Sequence, residues 1–395
     1  MIYFNLSDCA IYGEDRVNVA YLSKNNYIST ENMLPDRRGI CPATSLPNIH
    51  SVTKFVSGDI LLSNIRPYFK KIWLAEYNGG CSNDVLVIRA KNGTDPHFLY
   101  YVLSDTNFFY YATATAKGTK MPRGSKAAIM KYLIPAFDLP TQEKIASILS
   151  AYDDAIENNN KRIKILEKMA ENLYREWFVR MRFPGHETAE YENGLPKGWS
   201  VKRMQEFCYV TDGTHDTPQP KTYGIPLVTG KSISNGFIDF SQTYNIAVKD
   251  HEAIQKRSGV VTGDIIFSNI GTIGNCCIVD YDREFSVKNA IIFKPNTWAV
   301  SVYLYYWLTS SSVKNLFLGQ SNGASQQFVG LTYMRRMKIF IPSKHVIESF
   351  GKSTRPILEQ RKILHRKNAS LSYQRNKLLS RLLTVNQNYI SGKIK

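Results

Sequence analysis

The feature that most constrains this chain is a long segment without helix-breaking residues. Residues 141–183 contain neither proline nor glycine, and their apolar residues recur at alternating steps of four and three. This is the heptad pattern of a helix that packs along another helix. The seam positions are Ile145, Leu149, Tyr152, Ile156, Asn159, Ile163, Leu166, Ala170, Leu173 and Trp177. Such a helix of about 40 residues would span roughly 60 Å, too long for one ordinary core, so it is predicted to connect or separate domains. Asn159, the polar break in the seam, is expected to fix its register.

A second copy of the pattern follows the first. Gly58-Asp59-Ile60 returns as Gly263-Asp264-Ile265, 205 positions later. Further pairs at this offset are Asn64 and Asn269, Tyr101 and Tyr306, and Gly118 and Gly323. Several separate matches at one offset predict duplication of a whole domain-plus-helix unit.

The duplication predicts a second long helix after Pro342. Apolar residues stand there at seven-residue intervals, at Phe350, Ile357, Leu364, Leu371, Leu378 and Val385. The companion seam positions are mostly polar, and Pro356 is expected to kink this helix or to mark its start. Two such helices in one chain predict an intramolecular antiparallel coiled coil.

The predicted fold class is α+β: two mixed α/β domains joined by two long helices, related by a pseudo-twofold internal repeat. Short β-favouring runs at residues 59–63, 71–74 and 85–88 and an apolar helical patch at 96–103 support mixed domains. Pro/Gly clusters at 183–187 and 194–199 mark a linker and a new domain start. The predicted boundaries are 1–140 for the first domain, 141–182 for the first helix, 183–342 for the second domain and 343–395 for the second helix.

The charge of the chain predicts a polyanionic partner. The formal net charge is +17, and residues 343–395 carry 12 basic and 2 acidic side chains. A basic chain of this size favours nucleic acid first, while a solvated basic tail without a specific partner is the alternative.

The other totals predict a cytoplasmic protein. The six cysteines show no CxxC and no regular spacing, which indicates reduced thiols rather than a disulfide framework or a zinc site. No apolar run is long enough to span a membrane, and no signal peptide is recognisable at the N-terminus.

Motifs for catalysis are missing from the sequence. It has no Pro-Pro motif of amino-methyltransferases, no FxGxG loop for S-adenosylmethionine, no phosphate loop, no HExxH and no G-x-S-x-G elbow. Gly271 to Gly274 form a GxxG that we interpret as a turn between strands. His215 stands between Asp212 and Asp216 without a second histidine nearby, so a polar loop is favoured over a metal site. Asp59 and Asp264 are expected to have a structural role in turns.

With the repeat and its helices in place, the chain resembles the specificity subunits of type I restriction–modification systems. The resemblance rests on Leu139-Pro-Thr-Gln-Glu143, on Leu173-Tyr-Arg-Glu-Trp-Phe-Val179, on Arg182-Phe-Pro-Gly-His-Glu187 and on Gly194-Leu-Pro-Lys-Gly-Trp199, and it covers nearly the whole chain. The second copy departs from the pattern, because its Pro342-Ser-Lys-His345 lacks the Glu-Gln step.

The resemblance implies a non-catalytic subunit with two target-recognition domains, each recognising one half of a bipartite, asymmetric site in double-stranded DNA. It implies that the helices set the spacing of the half-sites and dock two methylation subunits, with restriction subunits added outside. S-adenosylmethionine would belong to the methylation subunits, and this chain would bind no cofactor.

The first candidate for DNA contact is the segment 117–126, here called the basic loop. Small residues let the backbone approach a phosphate, and basic side chains neutralise it or bind guanine. Its candidate residues are Lys117, Thr119, Lys120, Arg123 and Lys126. The repeat of this loop is uncharged but rich in amides, which can bind adenine or phosphate. Its candidate residues are Gln320, Ser325, Gln326 and Gln327.

A second candidate is the segment 64–71, here called the aromatic turn, in which charge and aromatic residues alternate around Tyr68 and Phe69. Its candidate residues are Arg66, Lys70 and Lys71, whereas residues 269–275 in the repeat are Gly-rich and uncharged. Lys221, Lys231 and Lys288 are further candidates in the second domain.

Subunit docking is expected at the end of the first helix, on an outer face that carries Arg175, Trp177 and Phe178. Two other functions stay open from the residues alone. One is a catalytic DNA methyltransferase or nuclease with fused recognition domains, and the other is a coiled-coil adaptor with a basic tail. The half-site sequences are not encoded in any recognisable pattern.

Overall fold

The computed structural model describes residues 2–320 and 328–383, without the side chains of 318–320 and 383. The chain forms two compact units, Met1–Asn160 with His365–Lys395 and Lys161–Leu364. This division crosses both long helices, Leu139–Tyr174 and Lys344–Leu383. Each unit therefore contains one set of sheets and a part of each helix.

The first unit is built around two four-stranded sheets. One is fully antiparallel, with the order Ala10–Tyr12, Val85–Ala90, Ile60–Ser63 and Ile72–Leu74. The other has the order Arg16–Asn18, Ser51–Phe55, Gly79–Cys81 and Tyr27–Ile28, and its last pair is parallel. Tyr3–Asn5 pairs with Leu133–Pro135, so the two ends of the domain meet just before the first long helix begins.

The helices of the first unit begin and end at capping residues. They are Leu6–Cys9, Pro96–Ser104, Thr106–Ala114 and Lys126–Ile129, beside the long helices. Asp95 accepts a hydrogen bond from the backbone of Phe98 at 2.7 Å, and Pro96 occupies the first helical position, where its missing N–H has no cost. The predicted helix at 96–103 and the predicted strands at 59–63, 71–74 and 85–88 are confirmed.

The second unit repeats this construction. Its four-stranded antiparallel sheet has the order Tyr209–Asp212, Ile291–Lys294, Ile265–Phe267 and Cys276–Ile278. Its other strands form a three-stranded sheet of Tyr244–Ile246, Ile225–Val228 and Ser286–Val287, and the pairs Ser200–Arg203 with Lys338–Ile341, Tyr191–Glu192 with Leu195–Pro196, and Ile233–Ser234 with Phe237–Ile238. Ile60 faces Ile88 in the first unit and Ile265 faces Phe293 in the second, so even the strand register repeats at the predicted offset.

The helices of the second unit enclose an aromatic core. They are Met204–Phe207, Val248–Ser258, Trp298–Thr309, Ser311–Gln320 and Leu331–Arg336. Tyr303, Phe317 and Phe350 are almost fully buried in this core. Each large apolar side chain buried in this way contributes about 1.5–3 kcal/mol.

The first long helix begins two residues before its predicted start, at Leu139. The buried amide of Gln142 holds that start, since it accepts from the Asp95 backbone at 2.9 Å and donates to the Phe137 carbonyl at 2.8 Å. The α-helix ends at Tyr174, where a π-helical turn, Arg175–Val179, follows.

The second long helix runs from Lys344 to Leu383 and includes Pro356, so this proline does not mark its start. The predicted domain boundaries stay predictions, and Val385 of the predicted seam lies outside the described residues.

The two long helices contact each other in opposite directions within each unit. In the first unit Asp153 forms an ion pair with Arg375, and Asn159 contacts Asn368. In the second unit Glu167 forms an ion pair with Arg361 at 2.6 Å, and the ring of Trp177 packs on Phe350. Partner numbers fall as residue numbers rise in each unit, so the pairing is antiparallel in both.

Candidate nucleic-acid interface

The basic loop and the aromatic turn, which lie far apart in the sequence, meet in the first unit. The backbone N–H of Arg66 donates to the carbonyl of Pro122 at 2.8 Å, and that of Gly124 donates to the carbonyl of Asn64 at 3.0 Å. Lys117 and Arg123 exchange two backbone hydrogen bonds of 2.8 Å, which close the basic loop on itself. The structure therefore brings together two segments that the sequence marks separately.

Gly124 makes this close approach possible. A Cβ atom at that position would lie 2.9 Å from the side-chain oxygen of Asn64 and 3.2 Å from Ile129. Gly118 has φ +96°, in the left-handed region that favours glycine. The two glycines therefore bend the loop and seat it on the aromatic turn.

The cations of the basic loop point to solvent. The exposed side chains are Lys117, Thr119, Lys120, Arg123 and Lys126. Arg123 contacts Asp84 at 3.1 Å in an ion pair that is exposed on both sides, and Lys126 lies 5.8 Å from the centre of the Tyr12 ring. Exposed pairs of this kind contribute little to stability, so these cations remain available to a polyanion.

The three predicted cations of the aromatic turn differ in their environment. Arg66 and Lys70 have φ +50° and +52°, which is strained for residues with a side chain. Among the described residues no hydrogen-bond partner reaches the buried Nε of Arg66. The Nζ of Lys70 lies 5.8 Å from the centre of the Tyr110 ring.

Lys71 is held by a neighbouring segment. Its ammonium donates to the carbonyl of Thr30 at 2.6 Å, and burial lowers its pKa. Lys71 therefore anchors the aromatic turn to the neighbouring segment, and its predicted contact with DNA stays a prediction.

Asp36 and Arg37 hold the same turn, and sequence reasoning missed them. Their backbone N–H groups donate to the carbonyls of Phe69 and Lys70, each at 2.9 Å. The Arg37 guanidinium also donates to the carbonyl of Ser104 at 2.6 Å. The cluster Pro35-Asp-Arg-Arg-Gly39 is a turn signal next to two cations, and it was the available clue.

The second unit keeps the scaffold of this interface. Val329 donates to the carbonyl of Asn269 at 3.0 Å, and the Asn269 amide donates back to the Val329 carbonyl at 3.0 Å. These residues stand 205 positions after Gly124 and Asn64. Of the predicted residues in the amide-rich loop, Ser325, Gln326 and Gln327 lie outside the described residues, as does the side chain of Gln320.

The three lysines predicted in the second unit lie on separate segments. Lys221 is exposed, and its backbone pairs with Asn245. Lys231 is exposed in the turn Gly230–Ser232, which Thr272 contacts through a hydrogen bond to the Gly230 carbonyl. Lys288 is half-buried, its ammonium donates to Thr217 at 2.5 Å and its backbone donates to Val228, so its predicted contact with DNA stays a prediction.

The predicted outer docking face at the end of the first helix is wrong for two of its three residues. Trp177 and Phe178 are 7% and 9% exposed and lie in the core of the second unit. The π-helical turn changes the direction of consecutive side chains, so both rings face Phe350. Arg175 is exposed and stays a candidate.

The other marked residues have structural contacts. Asp59 accepts two hydrogen bonds of 2.8 Å from Arg89, and Asp264 accepts one of 2.5 Å from Lys294, which confirms the structural role predicted for both aspartates. The GxxG segment is a turn between Ile265–Phe267 and Cys276–Ile278, as predicted.

The ring of His215 contacts Asp212 at 2.7 Å and Asn289 at 3.1 Å. Within residues 2–320 and 328–383, no group of three or more His, Cys, Asp or Glu side chains is arranged to hold a metal ion. Across the same residues, no helix combines the length and apolar character needed to cross a membrane.

Two regions of the chain, residues 25–168 and 196–366, match the model of the type I restriction modification DNA specificity domain. The chain belongs to this family, and the two matches coincide with its internal repeat. It is a specificity subunit of a type I restriction–modification system, a non-catalytic component that recognises DNA sequence.

Individual relatives agree with this assignment. The chain is 26% identical to the type I restriction enzyme MjaIX specificity subunit of Methanocaldococcus jannaschii, over 78% of this chain and 73% of that protein. It is 21% identical to the HindI specificity subunit of Haemophilus influenzae, over 90% of this chain and 93% of that protein. Its fold is similar to the crystal structure of the type I S subunit from M. genitalium, with a TM-score of 0.56, 16% identity and coverage of 98% and 96%.

Proposed function

We propose that the first unit binds one half of a bipartite duplex DNA site through the basic loop and the aromatic turn. The observation that carries this proposal is the backbone connection between Arg66 and Pro122, which holds two basic segments on one surface. A pinned loop with exposed cations loses little conformational freedom when it contacts phosphates, so more of the interaction remains as affinity.

The second unit binds the other half-site, through the segments that repeat these two. The scaffold pair Asn269 and Val329 supports this assignment, because it repeats the contact of Asn64 with Gly124. The loops differ in chemistry, since one is basic and the other is rich in amides. The two half-sites therefore differ in sequence, and the whole site is asymmetric.

The partners are two methylation subunits and the restriction subunits, assembled in the cytoplasm. Family membership supports this composition. The methylation subunits bind S-adenosylmethionine and modify the DNA, while this chain contributes only sequence recognition and assembly. Exposed Arg175 is the docking candidate that remains at the end of the first helix.

Charge reversal in the basic loop tests the DNA surface. In the full chain, Lys117→Glu, Lys120→Glu and Arg123→Glu are combined, and binding to duplex DNA is measured against salt concentration. Sequence-specific binding is expected to be lost, and the slope of log affinity against log salt is expected to fall by about 1 for each phosphate contact removed.

The control carries the same change in net charge on other exposed cations of the first unit, with Lys24→Glu, Lys54→Glu and Lys144→Glu. Co-purification with the methylation subunit is measured for both variants. If the loop variant loses assembly and keeps its DNA affinity, or if both variants lose DNA affinity equally, the proposed surface is wrong.

A further inference from the structure

The aromatic turn exposes two aromatic rings beside one another. Tyr68 and Phe69 are 47% and 39% exposed, and their ring centres are 4.8 Å apart with an angle of 56° between the planes. Large apolar side chains usually lie in a core or mark a binding surface when they cluster in the open. The Nζ of Lys71 lies 5.9 Å from the centre of the Phe69 ring, and the backbone of exposed Arg123 pairs with Ile65 on the same turn, so the rings lie in a basic part of the surface.

The backbone of the turn is strained in a way that the second unit avoids. Arg66 adopts φ +50°, whereas the residue 205 positions later is Gly271, with φ +71°. Glycine takes this conformation without a steric cost, whereas arginine takes it only at a steric cost from its Cβ atom. Strain of this kind persists where the surrounding structure imposes it, and it concentrates at functional sites. The first unit thus keeps a cationic side chain where its own duplicate has none.

The turn is also rigid. The Phe69 N–H donates back to the Arg66 carbonyl at 2.9 Å, which closes a single 3₁₀ turn over Pro67–Phe69. The carbonyls of Phe69 and Lys70 are held by the backbone of Asp36 and Arg37. The Arg66 N–H donates to Pro122 at the other end, so backbone hydrogen bonds hold both ends of the turn that carries the rings.

We propose that Tyr68 and Phe69 form a wedge that stacks on an opened base step of duplex DNA. This inference rests on the proposed function, and it specifies how the first unit recognises its half-site. Aromatic rings stack on bases of any sequence, and apolar wedges between base steps unstack and kink a duplex. Arg66, Lys70 and the basic loop hold the phosphates on either side of the opened step.

The wedge makes the first half-site depend on DNA deformability. Pyrimidine–purine steps open most easily, so such a step is expected at a fixed position within the first half-site. The corresponding turn of the second unit, Gly271 to Gly274, carries neither an aromatic ring nor a charge. The second half-site is therefore bound without an opened step.

The experiment starts from duplexes recovered by binding of the full chain to a pool with a randomised core. The fluorescent base 2-aminopurine is placed at each position of the recovered duplex in turn, because its emission rises when it is unstacked. The native chain is expected to increase emission several-fold at one step of one half-site. The double variant Tyr68→Ala, Phe69→Ala is expected to remove this increase and to lower affinity about tenfold or more.

Two controls accompany the double variant. Tyr21→Ala removes a ring that is 81% exposed elsewhere in the first unit, and it should leave emission and affinity unchanged. Exchange of the two rings, Tyr68→Phe with Phe69→Tyr, should keep the increase. Thermal unfolding of each variant shows that the fold is retained, as expected for exposed side chains.

The outcomes separate the wedge from the proposed function. If no duplex is recovered, both are overturned. If a specific duplex is recovered and the native chain increases 2-aminopurine emission at no position, the wedge is overturned and the DNA-binding function stands. If the double alanine variant increases 2-aminopurine emission at the same step as strongly as the native chain does, these two rings are not the wedge.

Discussion

The side-chain amide of Asn159 donates a hydrogen bond to the side-chain carbonyl of Asn368, 2.9 Å away, and so joins the two long helices within the first unit. Asn368 in turn donates to the side-chain carbonyl of Asn160 at 2.8 Å. Asn368 is only 9% exposed, so its amide is satisfied mainly by these partners. A polar contact within an apolar seam favours the one alignment in which both amides are paired.

Replacement of Asn159 is expected to destabilise the chain more than replacement of its neighbour Asn158. Asn159→Ala leaves the buried Asn368 carbonyl without its donor, which should lower the free energy of unfolding by about 1–3 kcal/mol. Asn158→Ala, at an exposed neighbouring position, should have almost no effect. Urea unfolding of the full chain measures both variants, and equal effects would show that the contact carries no stability.

Replacement of both asparagines by leucine distinguishes stability from register. Asn159→Leu with Asn368→Leu removes donor and acceptor together, so most of the lost stability should return. The apolar seam would then permit more than one alignment of the helices. Neither helix contains a cysteine, so one cysteine is introduced into each helix at facing exposed positions. Crosslinking of the purified chain should give one product with the native asparagines and several products when different introduced pairs are tried in the double leucine variant.

The duplicated ion pair predicts a second effect on stability. Asp59 is 1% exposed and is bound by Arg89, and Lys294 takes the arginine's place in the second unit. Arg89→Met leaves a buried carboxylate without its cationic partner, although the Val56 backbone N–H still donates to it at 2.8 Å, and should cost about 3 kcal/mol. Arg89→Lys copies the second unit and should cost clearly less.

The control for this prediction lies on the same arginine. Asp15 also contacts Arg89, at 3.2 Å, but its side chain is largely exposed. Asp15→Asn should therefore change the free energy of unfolding by less than about 1 kcal/mol. A cost for Asp15→Asn as large as that for Arg89→Met would mean that burial of Asp59 is not the cause.

Substitutions at the end of the first long helix should separate core packing from docking. Trp177→Ala opens a cavity in the aromatic core of the second unit and should lower the free energy of unfolding by about 3–5 kcal/mol. Arg175→Glu, on the exposed side, should leave stability within about 0.5 kcal/mol. Pull-down with the methylation subunit tests docking, and unchanged assembly of the Arg175→Glu variant would remove the last predicted docking residue.

Sequence periodicity predicted the long helices and the repeat because both depend on spacing alone. The constant offset even relates the contact of Asn64 with Gly124 to that of Asn269 with Val329. What spacing does not contain is the direction of side chains at an irregular element. The seam includes Trp177, which is indeed buried, but it does not include Phe178, which the π-helical turn at Arg175–Val179 also directs into the core.

The candidate site was only partly predictable, because composition marks its segments but not the contacts between them. Basic residues and glycines marked the basic loop and the aromatic turn, but their contact joins residues of distant segments, such as Arg66 and Pro122. Lys71 also illustrates the limit, because only the fold shows that its ammonium binds the Thr30 carbonyl. The positive φ of Asp36 and Arg37 has no sequence signature comparable to that of glycine.

Cysteine reactivity tests the fold of both units at once. Burial raises the pKa of Cys81, Cys208 and Cys277 from an ordinary value of 9.0 to about 12. Burial also raises the pKa of Cys276 well above 9.0. The thiolate is the reactive form, so these four thiols should not react with a disulfide reagent in mildly alkaline buffer until the chain unfolds. Exposed Cys41 should react first, and Cys41→Ser should remove that fast phase.

The same thiols predict a loss of stability at alkaline pH. The unfolded chain ionises them near 9.0, whereas the folded chain keeps Cys81 and Cys277 protonated until about 12. Their contribution is fully present below the ordinary pKa and disappears as the pH rises through the folded pKa, because the unfolded state releases its protons first. Cys277→Ala should make the decline in the free energy of unfolding with pH less steep in urea unfolding, while Cys41→Ser should leave the decline unchanged.

The reactivity experiment has a contradicting outcome as well. If Cys81 and Cys277 react with the disulfide reagent as fast as Cys41 in the native chain, the sheets that bury these two thiols are not formed.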